Sequence, residues 1–188
     1  MTSRFDHLAT PLPGLSVLVP RLLGDARGSL ERLYCEDDLA SLLEGRHIVQ
    51  VNRTRTRQRG TVRGLHFQYP PHAETKVVTC LRGAVFDVAV DLRTGSRTQF
   101  AWHGRRLDPT NREMMVIPEG FAHGFQALTD DAQLLYQHTA PHAPGLEAGV
   151  RHDDARLAIA WPLPPANLSP RDAALPALDE ALRHGPIA

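Results

Sequence analysis

The sequence predicts an all-β domain, a double-sheet jelly roll or barrel with short peripheral helices, on three observations. Glycine and proline are scattered along the 188 residues and are not gathered into one linker. Between them lie short runs of strand-like character bounded by turn residues. Those runs recur at the spacing of double-sheet architectures. A chain of this length buries a core without disulfide or metal staples. One domain over residues 1–188 is therefore expected, with an N-terminal arm and a C-terminal tail that wraps the barrel.

Taken in order, Leu15 to Val19 and Leu30 to Tyr34 read as strands, and Asp37 to Glu44 as the one short helix of the first half. Lys76 to Leu81 and Ala84 to Leu92 flank Arg82-Gly83, which is hairpin chemistry because glycine supplies positive φ. In the second run Val85, Asp87, Ala89 and Asp91 alternate with Phe86, Val88, Val90 and Leu92, so one polar and one packed face are expected. Thr94-Gly95-Ser96 makes a turn, and Phe100 to Leu107 and Met114 to Ile117 read as strands. Pro118-Glu119-Gly120 turns the chain into Phe121 to Leu128, and Gln133 to Thr139 continues the series. Proline thickens from Pro141 onward, where Ala173 to Arg183 alone looks helical.

Charge is balanced, with 21 basic and 21 acidic residues, so no global field draws the protein to nucleic acid or to an anionic membrane. Neither is expected as a partner. Met1 to Thr10 lacks an apolar core of signal-peptide length, and no apolar run approaches the roughly 18 residues that span a bilayer. A cytoplasmic location is expected. Cys35 and Cys80 are too few for a disulfide framework and read as free thiols.

The chemistry concentrates in Arg63-Gly64-Leu65-His66-Phe67-Gln68, followed ten residues after His66 by Lys76, the single lysine beside twenty arginines. A composition so biased fills ordinary cation positions with arginine. A lone lysine therefore marks a place where a compact point charge serves and a flat guanidinium does not, unless chance left it on a strand face. An ammonium aimed at a developing oxyanion beside an imidazole base suits removal of a proton from carbon next to a carbonyl.

Arg53, Arg55, Arg57, Arg59 and Arg63 share one parity, a stripe suited either to a diphosphate or to a solvated edge strand. Gln58-Arg59-Gly60 interrupts that stripe and leaves Arg63, beside His66, as its candidate. His66 and His123 on separate strands, with His72, His138 and His142 nearby, raise the question of a metal. A metal-holding strand of this architecture offers two histidines one residue apart. Here the second position is Gln68, and a metal-free site is expected. His123 suits a structural hydrogen bond as well as a ligand contact. Tyr136 is by default a core tyrosine, and becomes a weak acid if it faces the cavity of His66. Asp172, closing Leu168-Ser169-Pro170-Arg171-Asp172, is by default a helix-cap or first-turn acid.

These motifs together resemble the dTDP-4-dehydrorhamnose 3,5-epimerases, metal-independent cupins of deoxysugar biosynthesis. The match runs from Gly24-Asp25-Ala26-Arg27-Gly28 through Gln50 and Asn52, RGLHFQ at 63–68, Lys76 and Val85 to Asp91. It continues through Ile117 to Phe125, Tyr136, Trp161-Pro162 and the segment ending at Asp172. The resemblance implies a cupin-type double-stranded β-helix and epimerisation of a nucleotide-diphospho-4-keto-6-deoxy sugar at C3, C5 or both, with no cofactor. It implies that His66 is the base, Asp172 its support, Lys76 the enolate stabiliser and Tyr136 the acid on the opposite face. By the same resemblance Gln50, Asn52 and Arg63 hold the sugar nucleotide, and Gln68 and His123 are expected as further substrate-binding residues. Arg27 reaches the nucleotide of a neighbouring subunit, which implies a homodimer.

Three positions depart from the family pattern. Ser29-Leu30-Glu31-Arg32 stands where the family carries aromatics and then a glutamate, Pro141 followed by His142 where a tyrosine stacks on thymine, and Glu74-Thr75 where Gln-Gly precedes the lysine. These leave the base open among dTDP, CDP and GDP. A non-catalytic sugar-nucleotide-binding cupin is the alternative from another class, and a metal-dependent cupin is the third.

Overall fold

In the computed structural model, which describes residues 4–182, hydrogen bonding sorts the strands into two facing sheets and one small ribbon. Phe5–Leu8 (β1) pairs antiparallel with Ser16–Pro20 (β2). Leu23–Asp25 (β3) and Gly28–Leu30 (β4) form a separate hairpin, and Glu36–Leu43 is helix α1. Gln50–Thr56 (β5), Val62–Gln68 (β6), Lys76–Arg82 (β7), Val85–Asp91 (β8) and Trp102–Leu107 (β9) follow. Then come Met114–Ile117 (β10), Phe121–Ala127 (β11), Ala132–His138 (β12) and Glu147–Gly149 (β13), with Pro170–Ala173 (α2) and Leu178–Ala181 (α3) last. One sheet runs β1-β2-β10-β7-β12-β5, the other β13-β6-β11-β8-β9. This is the expected all-β jelly roll, a double-stranded β-helix of the cupin type. Among the described residues no helix is long and apolar enough to cross a membrane.

Three apolar layers hold it together, because alternate residues of the central strands face opposite sides. Between the sheets, Val78, Cys80 and Leu134 from one meet Val85, Ala89 and Phe125 from the other. Val77, Met114 and Val116 turn outward and are covered by Leu39 and Leu43 of α1. Leu65, Phe67, Val88 and Val90 turn outward from the second sheet and are covered by Leu157, Ile159 and Leu178. The last three belong to the C-terminal tail. Each fully buried aliphatic or aromatic side chain contributes about 1.5–3 kcal/mol. Burial, reinforced by the charges of Asp108 and Asp87, pushes the Cys80 thiol up to about 11, so it stays protonated and unreactive in the core.

Several local expectations change. Arg82-Gly83 does not close a hairpin: β7 and β8 lie in different sheets, and the turn carries the chain across the sandwich. Gly83 has φ +73, and a Cβ there would lie 2.3 Å from Thr129 Oγ1, so the corner is tight against the next crossing. The alternation in β8 does not separate a polar from a packed face. Asp87 and Asp91 are fully buried too, because the inner face of this strand looks into the sandwich. The strand expected over Leu30 to Tyr34 ends at Leu30, since its partner is the short β3 on the other side of Ala26-Arg27. Strand β1 had not been expected at all. The single helix expected over Ala173 to Arg183 is two short helices separated at Pro176, and Arg183, like residues 1–3 of the arm, lies outside the described residues.

Candidate active site

The space between the sheets is apolar at one end and opens at the other into a cavity of about 290 Å³. One wall is the six-stranded sheet, contributing Gln50, Asn52 and Thr54 from β5, Lys76 from β7, and Tyr136 and His138 from β12. Facing them are Arg63, His66 and Gln68 from β6 and His123 and Phe125 from β11. Register places His123 opposite His66, and His138 opposite both Lys76 and Gln50. Gly64 and Gly124 let β6 and β11 approach. A Cβ on Gly64, at φ +115, would stand 2.6 Å from Gly124 Cα and 2.7 Å from the His123 carbonyl oxygen.

His66 Nε2 donates to Asp172 Oδ1 at 2.7 Å. Ser169 caps α2 by accepting from the Asp172 amide at 3.0 Å, with Pro170 in the first turn, so the cap fixes the carboxylate that the imidazole meets. Burial raises the Asp172 carboxyl, but the hydrogen bond and charge of His66, together with the Gly64 amide, outweigh it and hold the group below its ordinary value.

Lys76 Nζ donates to the His66 carbonyl oxygen at 3.3 Å and lies 3.2 Å from Glu74 Oε1. Glu74 Oε2 in turn accepts from His138 Nδ1 at 2.7 Å. Burial opposes the charge on Glu74, yet the His138 hydrogen bond and the Lys76 charge lower its pKa overall. His123 Nε2 donates to Asp87 Oδ1 at 2.9 Å, deep in the wall. Tyr136 sits edge-on to His123 at 5.7 Å between ring centroids and stacks on His138 at 5.9 Å, with planes 12° apart. Burial, reinforced by the Asp87 charge, pushes the Tyr136 phenol well above its usual pKa, so it holds its proton.

Gln68 braces the loop at the rim. Its amide donates to the carbonyls of His72 at 2.9 Å and Pro141 at 3.3 Å, and accepts from the Ala143 amide at 2.7 Å. Gln50 accepts from the His142 amide at 3.0 Å. Of the arginine stripe, Arg53 and Arg55 point away from the cavity to Gln133 and Asp131, and Arg59 reaches the Leu128 carbonyl. Arg63 alone of the five lines the cavity. Arg27 does not reach it. That side chain is 89% exposed at the tip of the β3–β4 hairpin, bound to Asp25. Among the described residues no three His, Cys, Asp or Glu side chains gather in a metal-holding group.

A family model described as dTDP-4-dehydrorhamnose 3,5-epimerase matches residues 9–180. The chain belongs to the dTDP-4-dehydrorhamnose 3,5-epimerase family. It is 40% identical over 180 residues to the enzyme of that name from Salmonella typhimurium, covering 93% of this chain and 96% of the other. It is 42% identical over 163 residues to a dTDP-4-dehydrorhamnose 3-epimerase from Streptomyces niveus, covering 86% and 78%. Among solved structures, the dTDP-6-deoxy-D-glucose-3,5-epimerase of Legionella pneumophila, in complex with dTDP-4-keto-L-rhamnose, superposes with a TM-score of 0.88 at 38% identity, covering 93% of each chain. The protein is an epimerase, hence an isomerase.

Against this epimerase framework, the sequence reading missed three acidic residues, two lining the cavity and one behind its wall. Asp87 was assigned to a polar outer face, yet it supports His123. Glu147 lines the rim, where it accepts from His142 at 2.8 Å and pairs with Arg171 at 2.7 Å. Burial raises the Glu147 carboxyl, but Arg171 and His142 outweigh it and lower its pKa. Glu74 was noted only as a departure from the family pattern. The two-residue spacing of Tyr136 and His138 was a usable signal that both share one strand face.

Proposed function

We propose that the protein epimerises a dTDP-linked 4-keto-6-deoxy sugar at C3, C5 or both, through an enolate. One observation carries this reading: the His66–Asp172 pair and Tyr136 stand on opposite sheets across one cavity, with the Lys76 ammonium beside them. Both C3–H and C5–H of such a sugar lie next to the carbonyl. His66 takes one of these protons, the electron pair moves into a C=C bond, and negative charge collects on O4 near Lys76 Nζ. Tyr136 then gives its proton to the opposite face, and the carbonyl re-forms with inverted configuration. No electrons leave the sugar, so the step calls for no redox partner. Positioned acid and base contribute about 10² to 10⁴ in rate, and a preorganised donor at the oxyanion about 10² to 10³.

Arg63, Gln50, Asn52, Gln68 and His123 surround the space for the sugar and diphosphate in this reading. The names of the relatives support dTDP as the nucleotide. We place Arg27 in the site of a second copy, in a homodimer, because its own cavity is out of its reach. The exposed apolar residues of the same hairpin, Leu23 and Leu30, support that assembly. The free thiols of Cys35 and Cys80 fit a reducing cytoplasm.

Incubation in D₂O with dTDP-, CDP- and GDP-4-keto-6-deoxyglucose, read by NMR at C3 and C5, tests the reading. His66-dependent label from the dTDP sugar is the expected result. Absence of label from every donor, in folded protein that binds dTDP, overturns the epimerase step. Label from the CDP or GDP sugar in preference to dTDP overturns the choice of base.

A further inference from the structure

His138 has the chemistry of the catalytic histidine but stands on the other wall. Its Nδ1 donates to Glu74 at 2.7 Å, as the His66 ring donates to Asp172 at the same distance. The opposite ring nitrogen, Nε2, is left at the cavity, 3.4 Å from Asn52 Nδ2. Its ring stacks on Tyr136, the acid of the proposed reaction. Glu74 also touches Lys76, so one carboxylate ties the acid–base wall to the cation that meets O4. The side chains of Glu74, Lys76 and His138 are 8%, 10% and 12% exposed, so this is a partly dry triad rather than a solvated surface pair.

A purely structural histidine at this place would have both ring nitrogens satisfied inside the wall. Here one is anchored by a carboxylate and the other meets the cavity beside a single long contact. Once protonated, His138 presents a transferable Nε2 proton to the cavity. Rotation of the Asn52 amide then turns its oxygen toward Nε2–H.

We propose that His138, held by Glu74, is a second proton donor on the face opposite His66, serving one of the two carbons while Tyr136 serves the other. This rests on the epimerase reading above. In the step, the Nε2 proton of the imidazolium passes to the enolate carbon. The C=C electron pair forms the new C–H bond, the charge on O4 returns as C=O, and the imidazole is left neutral. Water recharges it, and His66 gives the abstracted proton back to water.

Deuterium partition tests this directly. An enolate that is reprotonated by His66 acquires label with retained configuration, whereas an acid on the opposite wall delivers label with inversion. In H138N and E74Q, the inverted-to-retained ratio at one carbon is expected to fall by about tenfold or more, whatever the change in total exchange. Y136F should keep inversion at that carbon, and Y136F/H138N should lose it by about a hundredfold. Binding of dTDP by calorimetry, repeated with H138Q, separates this from misfolding. An unchanged ratio at both carbons in H138N, H138Q and E74Q overturns the role of His138 and leaves the epimerase reading standing. Wild-type protein that takes up no label overturns both.

Discussion

Two of the three N–H groups on Lys76 are occupied, by the His66 carbonyl and the Glu74 carboxylate, so one remains for an oxygen in the cavity. Arginine cannot reproduce that arrangement, because its planar fork is longer and spreads its charge over five donors. K76R and K76M are expected to lower kcat by about 10² to 10³ while the Kd for dTDP stays within about threefold of wild type. Steady-state kinetics and calorimetry on the same preparations check this, and an equal loss in binding would assign Lys76 to the nucleotide. The lysine was legible in the sequence because a single lysine among arginines is anomalous in itself. Its relation to Glu74 and His138 was not. Those two lie 64 residues apart, and only the pairing of β12 with β7 brings them together. Gln68 was legible as a residue but not as a brace. Its partners His72, Pro141 and Ala143 are held by loop closure, which leaves no periodic trace.

Strands β7, β8, β10, β11 and β12 were each legible in the sequence, since period-2 patterning and turn residues mark where a strand starts and stops. Which sheet a strand joins is decided at the corner before it. Arg82-Gly83 has the composition of a hairpin and yet crosses the sandwich, and that single crossing turns the inner face of β8 into the wall behind His123. At the far end of β8 the chain turns on Asp91, whose fully buried carboxylate accepts from the Arg93 guanidinium and from the hydroxyls of Ser96 and Thr98. Burial pushes this carboxyl up, but Arg93, Ser96 and Thr98 outweigh it and bring it down to about 2. A pKa lowered by folding adds stability above the unfolded value of about 3.9, and that stability is lost as pH falls toward the folded value. The contribution is on the order of 1–2 kcal/mol once solvent screening at the turn is allowed for. Urea unfolding of D91N should show lower stability than wild type at pH 7, with the gap closing between pH 4 and pH 2. A gap constant over that range would make the loss one of packing and not of charge.

At the scale of the whole molecule, the cavity and the Arg27 hairpin are separate features of one chain. Leu23 and Leu30 flank Arg27 on that hairpin and are 47% and 67% exposed, and Val51 on edge strand β5 is 58% exposed. Edge strands and hairpins left this apolar mark interaction surfaces, and in the homodimer we propose a second copy covers this one. In the proposed homodimer each site is composite, with His66 from one protomer and Arg27 from its partner. R27A and H66A are then both impaired as pure preparations, for different reasons. A mixed dimer has one site that lacks both residues and one that has both. Random exchange makes about half the dimers mixed, so equal amounts of the two variants should regain roughly a quarter of the wild-type sites at limiting substrate. The recovered activity should appear only after subunit exchange and should carry the wild-type KM. If Arg27 served its own chain, every mixed dimer would contain two defective sites. Mixing would then give no more than the average of the two preparations at any time of incubation.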